Sequence, residues 1–334
     1  MQIQRSLKKA MKDPLSVQGL DLRQLKPILL FPEIDQFINL EFIDISNCPG
    51  LDWKDACIKL SQLPKLTEVK AFGAGIKMLP PEFGLLKNLK KIDFASNTEL
   101  KMLPESFSNL IALEDISFYG CGLETLTQSE WNFPNLLSLS LGRNKLKKFP
   151  EQFFKGLAGL QELNISNNQL ESLPESICDL ENLKSILAGS NLFQALPVNF
   201  AQLTSLETLW LDSCPAINYD NELEKIKNTP IRNLSIFGNN ISMLPAVFKD
   251  IQSLEVLNIN SNKLDDTTQL VKDLSQLPLK ELDIRFMGKR EISLAEAQSM
   301  IPTLQKIACD TRTNEEYGKD ILQWVSNHLE TAEK

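Results

Sequence analysis

The stretch "LQELNISNNQLESLPESICDL", residues 160–180, places apolar side chains at fixed intervals among Ser, Asn and Glu. With Leu160 counted as slot one, Leu163 and Ile165 occupy slots four and six, and Asn168 occupies slot nine. Slots four and six are two residues apart, so on a short strand they point to the same side. The stretch therefore predicts a strand with one apolar face, followed by a polar turn.

The same frame recurs along almost the whole chain. It occurs 13 times, at spacings of 23 to 26 residues, and slots one, four and six are apolar in every unit. A composition of 43% hydrophobic residues does not produce this by chance. One unit cannot bury its apolar face alone, so the units are expected to stack into a continuous core. The units begin at Val17, Leu40, Leu66, Leu89, Leu113, Leu136, Leu160, Leu183, Leu206, Ile231, Leu254, Leu279 and Leu304.

Slot nine holds Asn in six units and Cys in three. An Asn there can bond backbone groups of the turn that would otherwise be buried unpaired, and Cys fits the same slot as a weak donor. The frame resembles the L-x-x-L-x-L-x-x-N/C-x-L pattern of leucine-rich repeat proteins over residues 17–312. Six units also carry LP or FP with an aromatic residue or Ile three residues after the proline. This subtype is similar to bacterial repeat proteins and to intracellular repeat proteins of the Ras group.

The resemblance implies an α/β fold, a leucine-rich repeat solenoid curved like a horseshoe. Its parallel β-sheet would line the concave face, and 3₁₀, extended and short helical segments would form the convex side. Pro removes a backbone donor and disfavours helix before it, so the LP units predict 3₁₀ or extended returns. Four longer units predict short helices instead, over residues 53–60, 221–226, 267–274 and 293–300.

Three regions are predicted along the chain. Residues 1–16 form an N-terminal cap helix, residues 17–312 form a repeat domain of about 13 units, and residues 313–334 form a C-terminal cap helix. Open repeat arrays need such caps because the terminal units expose the core. The apolar stripe of the last helix is predicted to cover the final unit, and binding of a partner helix is the alternative. The stripe comprises Tyr317, Ile321, Trp324, Val325 and His328.

Net charge and the lengths of the apolar runs limit which partners and which compartment are expected. The net charge of −8 argues against nucleic-acid binding and against binding to anionic membranes. The longest apolar run, "ILLF" at 28–31, is too short to span a membrane, and the first residues carry no signal sequence. We therefore expect a cytoplasmic monomer. Export is the alternative, if a signal sequence precedes this chain or export follows a non-classical route.

The six cysteines show no CxxC spacing and fall on structural slots. Three occupy slot nine, one occupies slot six and two lie on return segments, so free structural thiols are predicted rather than disulfides. These cysteines are, in that order, Cys48, Cys121, Cys214, Cys309, Cys57 and Cys178.

No constellation for catalysis is visible in the sequence. The single histidine offers no triad, "FGAGIK" at 72–77 lacks P-loop spacing, and the acidic residues are scattered one per strand. We therefore predict no enzymatic activity, no cofactor and no metal site.

Function is expected on the concave face, where slots three, five, seven and eight point away from the core. Slot five begins acidic and continues with hydroxyl and amide groups, for which a solvated surface is the competing interpretation. Apolar and aromatic side chains on such a face tend to mark interaction sites. An alternative role for Trp210 is to fill the gap beside Ser213 and Gly238. The predicted partner-binding residues are Phe72, Tyr119, Glu162, Asn164, Leu187, Trp210 and Phe237.

The leading interpretation is a non-enzymatic recognition module that binds a protein or peptide through its concave face. Two alternatives are the substrate-recognition part of a bacterial effector of the ubiquitin-ligase type and a secreted repeat protein that binds a host surface. An additional catalytic domain or a signal sequence in the native protein would distinguish them.

Overall fold

The computed structural model of the protein describes residues 3–23, 28–126, 131–264, 267–285 and 293–308. Within these ranges, 14 short strands form one parallel sheet whose order follows the chain. The strands are Ile3–Gln4 (β1), Gly19–Asp21 (β2), Phe42–Asp44 (β3), Glu68–Lys70 (β4), Lys91–Asp93 (β5), Asp115–Ser117 (β6), Ser138–Ser140 (β7), Glu162–Asn164 (β8), Ser185–Leu187 (β9), Thr208–Trp210 (β10), Asn233–Ser235 (β11), Val256–Asn258 (β12), Glu281–Asp283 (β13) and Lys306–Ala308 (β14).

The repeat frame and the strand register coincide. Strands β2 to β14 occupy slots three to five of the 13 units, and every pair aligns equal slots. Leu163, Ile186 and Leu209 thus lie side by side at slot four. The sheet is open rather than closed into a barrel. The predicted curved solenoid is confirmed.

The return segments follow the prolines as predicted. Five of the six LP or FP units contain a 3₁₀ helix directly after or close to the proline, and the sixth returns through turns over residues 151–156. The 3₁₀ helices are Pro14–Ser16, Pro32–Gln36, Pro81–Leu85, Glu105–Asn109, Glu175–Asp179, Phe200–Gln202, Leu223–Ile226 and Ala246–Asp250.

Short α-helices replace 3₁₀ turns in the longer units. Asp52 caps the helix Trp53–Leu60 (α2) by accepting hydrogen bonds from the backbone N of Lys54 and Asp55 at 2.9 and 3.0 Å. Ser293 caps the helix Leu294–Met300 (α5) by accepting a hydrogen bond from the backbone N of Glu296 at 3.2 Å. The helix predicted over 221–226 is divided between Tyr219–Glu222 (α3) and the 3₁₀ helix that follows it. The α-helices are Leu7–Ala10 (α1), Trp53–Leu60 (α2), Tyr219–Glu222 (α3), Thr267–Asp273 (α4) and Leu294–Met300 (α5).

The apolar slots build one core along the solenoid. Leu160, Leu163 and Ile165 are almost wholly buried, and their equivalents join the same cluster. Aromatic rings on the convex side of this core contact one another from unit to unit, with centroids 5.0 to 6.1 Å apart. These rings belong to Trp53, Phe83, Phe94, Phe107, Phe118, Trp131, Phe133, Phe149, Phe153 and Phe154.

The predicted role of slot nine is confirmed. Asn168 Oδ1 accepts a hydrogen bond from the backbone N of Leu146 at 3.0 Å, and Nδ2 donates to the carbonyls of Leu141 and Ile165, each at 3.0 Å. The side chain therefore joins its own unit to the preceding one. The other slot-nine asparagines repeat these bonds, and Cys121 donates its thiol to the carbonyl of Phe94 at 3.2 Å.

Slot eight has a backbone requirement that the sequence analysis did not recognise. In ten units it adopts the left-handed conformation, with φ between 51° and 67°. Gly, Asn and Ser predominate there because they tolerate this conformation better than larger residues do. The identity of Asn167 in the opening stretch therefore reflects the turn. Gly73 is one of these ten residues and Gly75 has a positive φ as well, so the glycines of "FGAGIK" serve the chain reversal after β4.

The N-terminal end differs from a simple cap helix. Ile3–Gln4 adds a short strand beside β2, and only Leu7–Ala10 is α-helical. The predicted helix over 1–16 is thus reduced to one turn between a strand and a 3₁₀ helix. Strand β1 satisfies backbone groups at the exposed edge of β2, which a helix could not do. The predicted cap helix over 313–334 and Cys309 lie outside the described residues.

Candidate functional site

Four neighbouring strands carry the centre of the predicted binding face. Asn164 on β8, Leu187 on β9, Trp210 on β10 and Ser235 on β11 lie in register at slot five. Adjacent strands are about 4.8 Å apart, so these side chains are nearest neighbours along one row. The flanking slot-four residues are buried in the core, and alternation along the strands directs slot five to the concave side.

The exposure of this row differs from the prediction. Leu187 was predicted to be an exposed apolar residue, but it is only 8% exposed. Trp210 beside it is partly buried, as is Phe237. Side chains in the same row cover one another, which a position in the repeat frame does not reveal. These side chains form a compact cluster on the sheet and do not project separately into solvent.

Tyr119 extends this cluster towards the N-terminus of the chain. A Cβ atom at Gly142 would lie 2.9 Å from Cδ2 of Tyr119 and 2.7 Å from Oδ1 of Asn164. The ring of Tyr119 therefore lies against Gly142, which follows β7, and approaches Asn164 beyond it. Tyr119, Asn164, Leu187 and Trp210 accordingly form a continuous surface.

Two predicted residues lie at the border of this surface. Glu162 occupies slot three of β8, in line with Ser185 and Thr208, and is partly buried. Phe72 is 46% exposed at slot seven of an earlier unit, and Ala95 occupies the same slot in the unit between it and Tyr119. The structure thus brings five of the seven predicted residues together, with Glu162 beside them and Phe72 apart.

The polar residues of slot five have a structural explanation. Each Asp or Asn in this column accepts a hydrogen bond from the backbone N of slot seven, at 2.9 to 3.2 Å. Such bonds shape the chain as it leaves the strand. Asn164 also accepts from Ser166 Oγ at 2.8 Å. The polarity of this column is therefore not by itself a sign of ligand binding.

Two acidic residues at the N-terminal end of slot five, Asp21 and Asp44, are neutralised by Arg23. Arg23 Nε and Nη2 donate to the two oxygens of Asp21 at 3.0 and 2.8 Å, and Nε lies 3.2 Å from Oδ2 of Asp44. The hydrogen bond from Arg23 holds the pKa of Asp21 below its usual value. Near the other end, Arg285 forms the same fork with Asp283 at 3.0 and 2.7 Å. These arginines occupy slot seven, where only the aromatic residues were singled out from the sequence.

Asp212 is the main site residue that sequence reasoning missed. Its Oδ1 accepts hydrogen bonds from Ser235 Oγ and from the backbone N of Phe237, the latter at 3.1 Å. Burial raises the pKa of Asp212 to about 7, although both hydrogen bonds lower it. The sequence did contain a signal, because Asp212 is the only acidic residue at slot seven before the last unit.

Other chemistry is limited in the part of the chain that the structure describes. The five cysteines there are buried free thiols, as predicted. Burial raises the pKa of Cys57 and Cys178 to about 12 and that of Cys121 and Cys214 to about 11, so these thiols are poor nucleophiles. Across the described ranges, no group of three or more His, Cys, Asp or Glu side chains could hold a metal ion. None of the helices in those ranges is long and apolar enough to cross a membrane.

Comparison with known proteins agrees with the repeat frame and the solenoid. The family model described as Leucine rich repeat matches residues 134–193. A leucine-rich repeat protein of Leptospira interrogans superimposes with a TM-score of 0.59 at 24% identity, over 92% of this chain and 88% of that protein. An internalin of Listeria monocytogenes gives a TM-score of 0.56 at 18% identity, over 82% and 81% of the two chains. No functionally curated protein matches the sequence significantly.

The stacked parallel strands, the slot-nine ladder and these likenesses define the class as a repeat solenoid. The chain folds as a leucine-rich repeat solenoid, and the Leucine rich repeat model matches its residues 134–193. At these identities the two solved structures share its fold. Leucine-rich repeat proteins commonly mediate protein–protein interaction and are typically non-enzymatic.

Proposed function

We propose that the protein is a non-enzymatic recognition module that binds a protein or peptide segment on the concave face. The binding site is the cluster of Tyr119, Asn164, Leu187, Trp210 and Phe237, with Glu162 at its border. The observation that carries this proposal is the row of apolar and aromatic side chains on the side of the sheet opposite the core. Phe72 would contact only a ligand long enough to extend beyond Tyr119.

The cluster combines properties that favour protein recognition. Aromatic side chains present a large rigid area, and Trp and Tyr are enriched among residues that dominate binding energy. Leu187 is covered by its neighbours, so the cluster is already ordered before a ligand arrives. A preordered surface loses less conformational entropy when it binds.

The alternative role of Trp210 in packing has support as well. Burial of Leu187 to 8% exposure shows that its neighbours shield it, and Trp210 lies directly opposite it on β10. We therefore expect Trp210 to contribute to stability and to binding. Affinities must accordingly be measured well below the melting temperature of every variant.

Charge and thiol chemistry indicate the kind of partner and the compartment. The net charge of −8 supports a protein or peptide partner rather than a nucleic acid or an anionic membrane. Five buried free thiols support a reducing compartment such as the cytoplasm. Within this proposal the protein acts as a monomer.

The test is selection of binders from a displayed library of random 12-residue peptides, followed by affinity measurement on purified protein. The double variant Trp210→Ser with Phe237→Ser is expected to weaken binding by about 2 kcal/mol or more, which is about 30-fold in Kd. The matched control is Met78→Ser with Met243→Ser, which removes two apolar side chains that are 70% and 75% exposed outside the strands. Peptides that bind both double variants as tightly as the wild type would refute the proposed site.

A further inference from the structure

Asp212 is an acidic group without an internal counter-charge on the proposed binding face. Oδ1 is used by Ser235 Oγ and by the backbone N of Phe237, and no described residue donates a hydrogen bond to Oδ2. Asp212 as a whole is partly buried. One carboxylate oxygen is thus fixed in position while the other remains available to a ligand.

Acidic residues near the two ends of the sheet, unlike Asp212, have arginine partners. There, Asp21 and Asp283 are held by bidentate arginine forks from their own units, through Arg23 and Arg285, which lie two residues further along the chain. Among the described residues, Asp212 has no ion-pair partner. A desolvated carboxylate is stabilised strongly by a bidentate or hydrogen-bonded cation, and none of the described residues supplies one to Asp212, so a cation of the ligand suits its ionised form.

The neighbours of Asp212 suit a long cationic side chain. Trp210 lies two residues earlier on the same face, and Phe237 lies at the equivalent slot of the next unit. On the other side, a Cβ atom at Gly189 would lie 3.1 Å from Cβ of Asp212, so any larger residue would crowd Asp212, and Gly189 itself presents no side chain. Asp212 therefore has an aromatic residue at a neighbouring slot on its own unit and another on the next unit, and no side chain from Gly189 on the preceding unit.

We propose that Asp212 is the recognition site for a lysine or arginine side chain of the bound peptide, with Trp210 and Phe237 contacting its aliphatic part or its charged head. This inference rests on the proposed function. An aromatic face attracts a cation, and the attraction grows when the site is shielded from water. The carboxylate supplies the opposite charge and a hydrogen-bond acceptor.

Recognition of a cation by Asp212 makes binding dependent on pH. Burial raises the pKa of Asp212 to about 7, and the ligand requires the ionised form. Among the described residues, the other titratable groups that interact with Asp212 are Cys214 and Tyr219, whose pKa values are raised by burial so that both stay neutral below pH 9. Affinity for a basic peptide is therefore expected to fall about tenfold between pH 8 and pH 6.

The experiment uses peptides selected by the wild-type protein, each synthesised in two versions. One version carries its Lys and Arg residues, and the other carries norleucine and citrulline in their place. Dissociation constants are measured at pH 8 and pH 6 for the wild type, for Asp212→Asn and for Asp250→Asn. Asn at 212 can still accept both hydrogen bonds of Oδ1, and Asp250, an exposed residue at the end of a 3₁₀ helix, provides the same charge change elsewhere.

We expect the basic version to bind the wild type at least tenfold more tightly than the neutral version at pH 8. This preference and the pH dependence should disappear in Asp212→Asn and persist in Asp250→Asn. Equal binding of the two versions, with loss of binding in Trp210→Ser with Phe237→Ser, would overturn the cation site and leave the proposed function standing. Binding that is unchanged in Trp210→Ser with Phe237→Ser would overturn both the cation site and the proposed function.

Discussion

Removal of the Asn168 side chain tests the account of the slot-nine ladder most directly. In Asn168→Ala, the backbone N–H of Leu146 loses the acceptor that lies 3.0 Å away, and Leu146 is buried. The carbonyls of Leu141 and Ile165 also lose a donor, but each keeps one, because Asn144 and Asn191 donate to them at 2.9 and 3.0 Å. One buried donor is therefore left unpaired.

The loss in free energy of unfolding can be worked out from these hydrogen bonds. An unsatisfied buried N–H costs about 1–3 kcal/mol, and each shared hydrogen bond that is weakened contributes about 0.5–1.5 kcal/mol. We therefore expect Asn168→Ala to lower the free energy of unfolding by about 3 kcal/mol. Urea unfolding followed by circular dichroism measures this loss. Hydrogen exchange localises it, because the amide of Leu146 should lose protection more than amides in distant units.

The matched control is Asn182→Ala. Asn182 is exposed, and its Nδ2 makes one hydrogen bond, to the carbonyl of Ala158 at 3.1 Å. Its removal should change stability by about 0.5 kcal/mol or less. If Asn168→Ala lost no more stability than Asn182→Ala, or if the Leu146 amide kept its protection, the ladder would not stabilise the turns as argued.

Two further predictions concern charge and thiols. The pKa of Asp212 is raised from 3.8 to about 7 on folding, so ionisation disfavours the folded state increasingly from about pH 4 to pH 7 and by a constant amount above that. Asp212→Asn should therefore be more stable than the wild type at pH 8, by at most roughly 4 kcal/mol. Thermal unfolding scans should show no such gain at pH 4. An equal change in stability at both pH values would contradict the burial of this carboxyl group. All six cysteines should be free and should react with a thiol reagent only after denaturation, and mass spectrometry that finds two or more native disulfides would refute the structural-thiol interpretation.

The sequence by itself determined the architecture. Leu160, Leu163, Ile165 and Asn168 repeat at slots whose roles are local, since two-residue alternation sets the inner side of a strand and a polar side chain satisfies the turn. In a solenoid each unit packs on its sequence neighbours, so the same frame also fixes the register of the sheet. All 13 predicted strands were found at slots three to five for this reason.

Only the tertiary structure decided how side chains on the concave face affect one another. Leu187 was predicted to be exposed because its slot points outward, yet its neighbours in the row across the strands cover it. Slot five alone indicates an unpaired acidic group at Asp21, yet Arg23, two residues further along the chain, donates two hydrogen bonds to its carboxylate. Asp212 acquires its raised pKa because the surrounding units remove water from its carboxyl group. Coverage, ion pairing and desolvation depend on which side chains stand together in space, and the repeat frame specifies their slots without specifying these contacts.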